Sequence, residues 1–208
     1  MQVYDGKLGP YEDDLGSVEW LASCDLRAVP ERDSAVGEHI TPFLHFKGFK
    51  AIQAHRISHV FWRNGMTHLA LTVQKRISEC WGVDIHPAAK LGGGLMIDHA
   101  TGVVIGATTC VGFGCTFLHN TTLGSTGKED GDRHPKLGNN VMVGQGSSTL
   151  GNIYIGDNAK IGSQSMVLKD VPGDATVVGN PARVVRINSS SANIFSSKAS
   201  DRLKVTQQ

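Results

Sequence analysis

The sequence predicts a mainly β protein: a parallel β-helix of hexapeptide repeats preceded by a small α-helical region. Three observations carry that expectation. Apolar residues recur every six positions from Ile85 onward. Glycine makes up 25 of 208 residues, about 12% against a usual ~7%. Aromatic residues are scarce at 6%, which suits a prism with a narrow interior.

The repeat is explicit. Ile85, Leu91 and Ile97 set the phase. After a shift of two come Ile105, Val111, Phe117 and Leu123; after a longer excursion come Leu137, Val143, Thr149, Ile155, Ile161 and Val167. Twelve of these thirteen positions are apolar, and glycine follows in eight: Gly92, Gly106, Gly112, Gly124, Gly138, Gly144, Gly156 and Gly162. Each hexad reads as one short strand and one corner, three to a coil, so thirteen make about four coils. The apolar residue points inward, and the glycine is expected to supply the backbone angles of a tight corner. The position two before each apolar residue is small or medium: Ala89, Thr109, Cys115, Thr121, Ser147, Ala159 and Ser165.

Before the repeat, helical spacing prevails. From about Thr41, with Pro42 suited to a first turn, Phe43, Phe46, Phe49, Ile52, His55, Ile57 and Val60 recur mostly three or four apart. Arg63-Asn64-Gly65 reads as a helix stop. A second helix is expected from Met66 to about Cys80, with Leu69, Val73 and Ile77 on one face. The expected organisation is a helical region over 1–82, the β-helix over 83–187, and a polar, flexible tail over 188–208.

Composition narrows the function. Twenty Lys and Arg against 19 Asp and Glu leave a formal charge of +1, so neither nucleic acid nor an acidic membrane surface is expected as a partner. No apolar run reaches the ~18 residues of a membrane span. The start, Met1-Gln2-Val3-Tyr4-Asp5-Gly6, lacks the pattern of an export signal. Cys24, Cys80, Cys110 and Cys115 make no disulfide framework. A cytoplasmic, reducing environment is expected.

Repeats break where something besides stacking is selected. One break holds Asp98-His99-Ala100-Thr101-Gly102; the other runs from Gly124 through Gly131-Asp132-Arg133-His134-Pro135-Lys136. A third polar cluster, Asp84-Ile85-His86-Pro87, opens the array. These stretches, with Thr122-Leu123-Gly124-Ser125-Thr126-Gly127-Lys128, Gly179-Asn180-Pro181-Ala182-Arg183, Arg32-Asp33-Ser34-Ala35-Val36 and Leu44-His45-Phe46-Lys47-Gly48-Phe49, resemble serine O-acetyltransferases. The resemblance runs from about Arg32 to Ile187. It implies a left-handed parallel β-helix that moves acetyl from acetyl-CoA to the hydroxyl of L-serine, the first step of cysteine biosynthesis, under feedback inhibition by cysteine.

Acetylating a hydroxyl requires a base, and an imidazole steadied by a carboxylate supplies one. By the resemblance His99 is the base and Asp84 its orienting partner. Asp33 and Asp98 match binders of the serine ammonium, and Arg133 and His134 match binders of its carboxylate. Ser125, Thr126, Gln145 and Ser163 match positions along acetyl-CoA. No metal is implied. The family assembles as a homotrimer or a dimer of trimers; a shortened helical region makes a trimer a serious expectation here. Members that end in Ile dock into O-acetylserine sulfhydrylase, and an ending of Val205-Thr206-Gln207-Gln208 makes that complex doubtful.

Other readings stand beside this one. Another hydroxyl acceptor, such as a sugar or antibiotic, fits the same solenoid. A γ-type carbonic anhydrase needs three zinc-binding histidines, and a cysteine-sensing scaffold needs no catalysis. Cys115 falls on an inward slot, so a core role is expected over an acyl-cysteine. His55 and His59, four apart on a helix, are read as a solvated face rather than metal ligands.

Overall fold

A computed structural model describes residues 16–33, 36, 40–128 and 130–188. Most of the tail, from residue 189, and the first fifteen residues lie outside these. Four helices come first: α1 (Val18–Arg32), α2 (Ile40–His45), α3 (Lys47–Arg63) and α4 (Thr67–Trp81). Short strands then stack into a parallel β-solenoid of five coils. Sheet A collects β1 (Val83–Ile85), β4 (Val103–Ile105), β7 (Thr122–Gly124), β10 (Ser148–Leu150) and β13 (Met166–Val167). Sheet B collects β2 (Lys90–Leu91), β5 (Cys110–Val111), β8 (Lys136–Leu137) and β11 (Tyr154–Ile155). Sheet C collects β3 (Met96–Ile97), β6 (Thr116–Phe117), β9 (Met142–Val143), β12 (Lys160–Ile161), β14 (Ala175–Val178) and β15 (Arg183–Ile187). All pairings are parallel except the last, where β15 turns back antiparallel on β14.

The six-residue pattern holds at every inward position. All thirteen are at most 4% exposed, and the seven small-slot residues are buried as well. The coil count is five rather than four because the last coil leaves the hexad phase. Val171 comes four residues after Val167 and bridges Ile155 of sheet B; Val177 comes six later and pairs with Ile161.

The repeat glycines have a different cause from the one expected. None of the eight sits in the left-handed region. What they lack is room: a Cβ on Gly92 would lie 2.7 Å from the Gly112 carbonyl oxygen, and one on Gly112 would lie 2.6 Å from that of Gly138. The left-handed corner falls two residues later, at Gly94, Gly114, Asn120, Asn140, Gly146, Asn158 and Gln164. Asn tolerates that conformation better than most residues, so this second register is hidden in the sequence.

Among the helices, Asn64 and Gly65 end α3 as the sequence predicts, with Gly65 at φ +75. Four departures appear. The segment from Thr41 is two helices, parted at the extended Phe46. Helix α1 was not foreseen, because its buried face includes Asp25 and its pattern is interrupted by Pro30. Phe43, Ile57, Val60 and Leu69 are exposed rather than core. His55 is no solvated residue: it is 1% exposed, its Nδ1 has no partner among the described residues, and His59 donates through Nδ1 to the Pro87 carbonyl at 2.7 Å.

The helices are clasped to the first coil by a buried ion pair. Asp25 of α1 accepts from Arg56 Nε and Nη2, both at 2.9 Å, from Gln53 at 2.9 Å and from the Leu95 amide at 2.9 Å. Arg56 also donates to the carbonyls of Leu91 and Gly92. Satisfying the donors and acceptors offsets the desolvation of both charges.

Two stability measurements check this packing. Gly112→Ala forces two coils apart and is expected to lose about 2 kcal/mol in denaturant unfolding; an unchanged midpoint would contradict the close-approach account. Burial holds His55 neutral well below its usual 6.5. The unfolded chain takes up that proton first, so stability present above about pH 6.5 declines below it by up to about 1.4 kcal/mol per pH unit from this residue. His55→Gln should flatten the decline between pH 6.5 and 5, and an identical slope would refute the assignment.

Candidate active site

The interruptions fall on two different edges of the prism. Asp98 and His99 follow β3 and turn the chain from sheet C into sheet A. The long excursion leaves β7 at Gly124 and returns at Lys136, from sheet A into sheet B. One face, sheet A, lies between these ridges. Its three-residue strands make it about 10 Å across.

On the first ridge, His99 and Ala100 are consecutive left-handed residues, φ 55 and 58. Two tight bonds hold the turn: Ala100 N–H to the Asp98 carbonyl at 2.6 Å and Thr101 N–H to that of His99 at 2.7 Å. Such backbone costs roughly 1–3 kcal/mol per residue and persists where surroundings enforce it. Buried Ala100 anchors the corner while the His99 side chain is 76% exposed. His99 Nε2 stands 3.7 Å from Asp98 Oδ2, an ionic contact longer than a hydrogen bond.

The helical region braces this ridge. Lys47 donates to the Thr101 hydroxyl. Gly48 lets the start of α3 rest against the Ile97 carbonyl, where any Cβ would collide. Arg32, ending α1, donates to the Cys115 carbonyl at 3.3 Å and to Thr116 Oγ1 at 3.2 Å. Asp33 caps α1 and its carbonyl accepts from Val36, whose side chain packs with Met96 two residues ahead of Asp98. Asp33 thus reaches the side of the solenoid that carries Asp98 and His99.

The same ridge carries His119, Gln145 and Ser163 on successive coils, linked by Gly146 N–H to the His119 carbonyl and Gln164 N–H to that of Gln145. His119 was missed in the sequence because it occupies an ordinary corner slot. Its ring stands edge-on to His99 at 5.8 Å, and its buried Nδ1 has no partner among the described residues. The available signal was its place one coil beyond His99.

Asp84 is on the outer face of β1, and its Oδ1 accepts from Gln74 at 2.6 Å. No hydrogen bond joins Asp84 to His99 among the described residues.

On the second ridge, the excursion folds back over the preceding coil. Thr108 Oγ1 accepts from the amides of Arg133 and His134, both at 3.1 Å, and lies 2.8 Å from His134 Nδ1, which also accepts from the Thr108 amide. His134 therefore presents its Nε2 proton. Its ring lies where a Cβ on Gly106 would be. Burial, then the charges of Arg133 and Lys136, hold the imidazole below its usual value. Lys136 ties the loop through Asp132 and the His134 carbonyl, both at 2.6 Å. Ser125 and Thr126 open this excursion, and Ser125 Oγ accepts from Gly127 at 3.2 Å.

The chain's own geometry thus sorts the expected residues into two sets. Asp98, His99, Gln145 and Ser163 belong to the first ridge, with Asp33 at the end of α1 on the side of Met96, and Ser125, Thr126, Arg133 and His134 belong to the second. An exposed imidazole beside a carboxylate can move a proton, and a guanidinium with an imidazole N–H can hold an anion. Cysteine chemistry is not on offer at Cys115, whose thiol is buried, pushed up to about 12, and bonded to the Gly138 carbonyl. Among the described residues no three His, Cys, Asp or Glu side chains are grouped to hold a metal.

A parallel solenoid built on six-residue steps places the chain in the class of hexapeptide-repeat proteins. Family descriptions agree: residues 11–54 match the N-terminal region of serine acetyltransferases, and residues 134–169 match the bacterial transferase hexapeptide of six repeats. A mitochondrial serine acetyltransferase 3 from Arabidopsis thaliana is 56% identical over 161 residues, 77% of this chain and 41% of that protein. A Brucella abortus serine acetyltransferase solved with coenzyme A superimposes with TM-score 0.81 at 45% identity, covering 82% of this chain and 68% of that one. A serine acetyltransferase solved with cysteine gives TM-score 0.81 at 50% identity over 85% and 73%. The chain belongs to the serine acetyltransferase family. It spans 41 to 61% of the length of the curated relatives it matches. No described helix is long and apolar enough to cross a membrane.

Gly106→Ala tests the second ridge directly. The added methyl must expel the His134 ring, so its imidazole should become exposed and titrate closer to 6.5 in an NMR titration. A His134 that keeps its lowered value in this variant would show that the cradle does not depend on Gly106.

Proposed function

We propose that the protein transfers acetyl from acetyl-CoA to the hydroxyl of L-serine, giving O-acetyl-L-serine and CoA, and that cysteine restrains it. The observation that carries this reading is the exposed His99 beside Asp98 on one ridge, set against Arg133 and His134 on another. An amino-acid zwitterion needs a carboxylate for its ammonium and a cation for its carboxylate, and these residues supply both.

His99, oriented with help from Asp84, takes the serine hydroxyl proton as the oxygen attacks the thioester carbonyl. The tetrahedral intermediate collapses, CoA leaves as its thiolate, and the proton on His99 neutralises it. The His119 imidazole beside His99 is a candidate donor to the developing oxyanion. Acetyl-CoA is a substrate and would run along Gln145 and Ser163. Cysteine shares the ammonium and carboxylate but not the hydroxyl, so it competes for Asp33, Asp98, Arg133 and His134.

A serine molecule is much shorter than the ~10 Å face between the ridges. The first ridge of one copy must then meet the second ridge of another, which a homotrimer, alone or as a dimer of trimers, provides. Ser125 and Thr126 would reach acetyl-CoA from the neighbouring copy by the same arrangement. The cytoplasm is the proposed compartment, with an organelle as the alternative given the mitochondrial relative.

The test is thiol release from acetyl-CoA across candidate acceptors. Serine-dependent release that cysteine suppresses is expected; release with another acceptor only would reassign the substrate, and none would leave a scaffold. His99→Ala should lower kcat at least 100-fold. Mixing His99→Ala with Arg133→Ala subunits should restore activity, since some interfaces then carry both native ridges. No restoration in verified mixed oligomers would overturn the shared site.

A further inference from the structure

We propose that Gln74 is a positioning residue for Asp84, an assignment that rests on the reading of Asp84 as the carboxylate that orients His99. Strand β1 is the first strand of sheet A, and among the described residues only β4 pairs with it. Helix α4 packs against β1 and reverses into it through Gly82, at φ +66. Gln74 projects from this helix to Asp84, and Nε2 donates to Oδ1 at 2.6 Å.

Two features make this more than a surface contact. Gln74 is one turn before Ile77, which is buried in the solenoid core, so the helix is fixed where Gln74 leaves it. The bond also engages one carboxylate oxygen and leaves Oδ2 without a hydrogen bond among the described residues. A carboxylate held by one oxygen cannot turn freely, and its free oxygen keeps a set direction. A neutral amide is the suitable donor. An ammonium there would cancel the negative charge that an imidazolium needs, and a carboxylate would repel it. Helix α4 thereby enters the catalytic apparatus without touching substrate.

Three substitutions separate this role from packing. Gln74→Met keeps length and removes the donor. Gln74→Glu keeps shape and replaces the donor with an acceptor. Lys75→Ala, on the exposed side of the same helix, is the control. In serine acetylation at pH 8, Gln74→Met should lower kcat about tenfold, with both KM values and the melting temperature close to the parent. Gln74→Glu should fall below Gln74→Met, although it is the closer isostere. In an Asp84→Ala background, Gln74→Met should produce no further loss, because the residue acts through Asp84.

Parental kcat in Gln74→Met, alongside a large loss in Asp84→Ala, would overturn the proposal and leave Asp84 as assigned. Equal effects of Met and Glu, or a full additional loss without Asp84, would also overturn it. Parental kcat in Asp84→Ala would remove both the proposal and the reading on which it rests.

Discussion

The close approach of one coil to the next governs this molecule. Strands in neighbouring coils pair at ordinary sheet spacing, about 4.8 Å, and the inward residues from Ile85 to Val167 stack over one another. At that distance the residue after several of the inward positions meets a carbonyl of the next coil, so Gly92, Gly112 and Gly144 can carry no side chain. An insertion within a strand would break both stacks at once. Extra chain can enter at corners, and it does so after Ile97 and after Gly124. Both interruptions lie at corners because the interior stack and the strand registers are already committed.

The helical region braces the ridge that carries the candidate residues Asp98 and His99. A solenoid edge is regular and exposed, a poor place to fix one side chain. Here the Asp25–Arg56 pair, Lys47 on Thr101, Gly48 against Ile97 and Arg32 on Thr116 hold α1 and α3 to the first two coils around Asp98 and His99. The left-handed pair His99–Ala100 is sustained by that support. On the other ridge Thr108 does comparable work with one hydroxyl, gathering two amides and a ring nitrogen.

Much of the fold was legible because the inward stack repeats at fixed spacing, and the departures have physical reasons. The left-handed corners were hidden because Asn, Gln and Gly share them. The fifth coil slipped the phase at Val171. Helix α1 buries Asp25, and polar residues on a core face defeat a search for apolar periodicity. His55 read as solvated for the same reason, since a neutral imidazole packs like an apolar ring once burial has removed its proton. Breaks in the repeat pointed to the stretches around His99 and Arg133, and the resemblance supplied the individual roles; neither reveals what packs beside those residues. His119 breaks nothing, and Gln74 sits on a polar helix face, so only three dimensions relate them to His99 and Asp84.

The reversed final strand has a consequence of another kind. A parallel stack with identical steps has no intrinsic length, and its open end is a template for the next layer. Strand β15 runs antiparallel to β14 and is exposed along its whole length. An incoming parallel coil finds the wrong polarity there, while α3 and α4 occupy the other end. The same reversal acts as a terminator against the addition of a further parallel coil at that end.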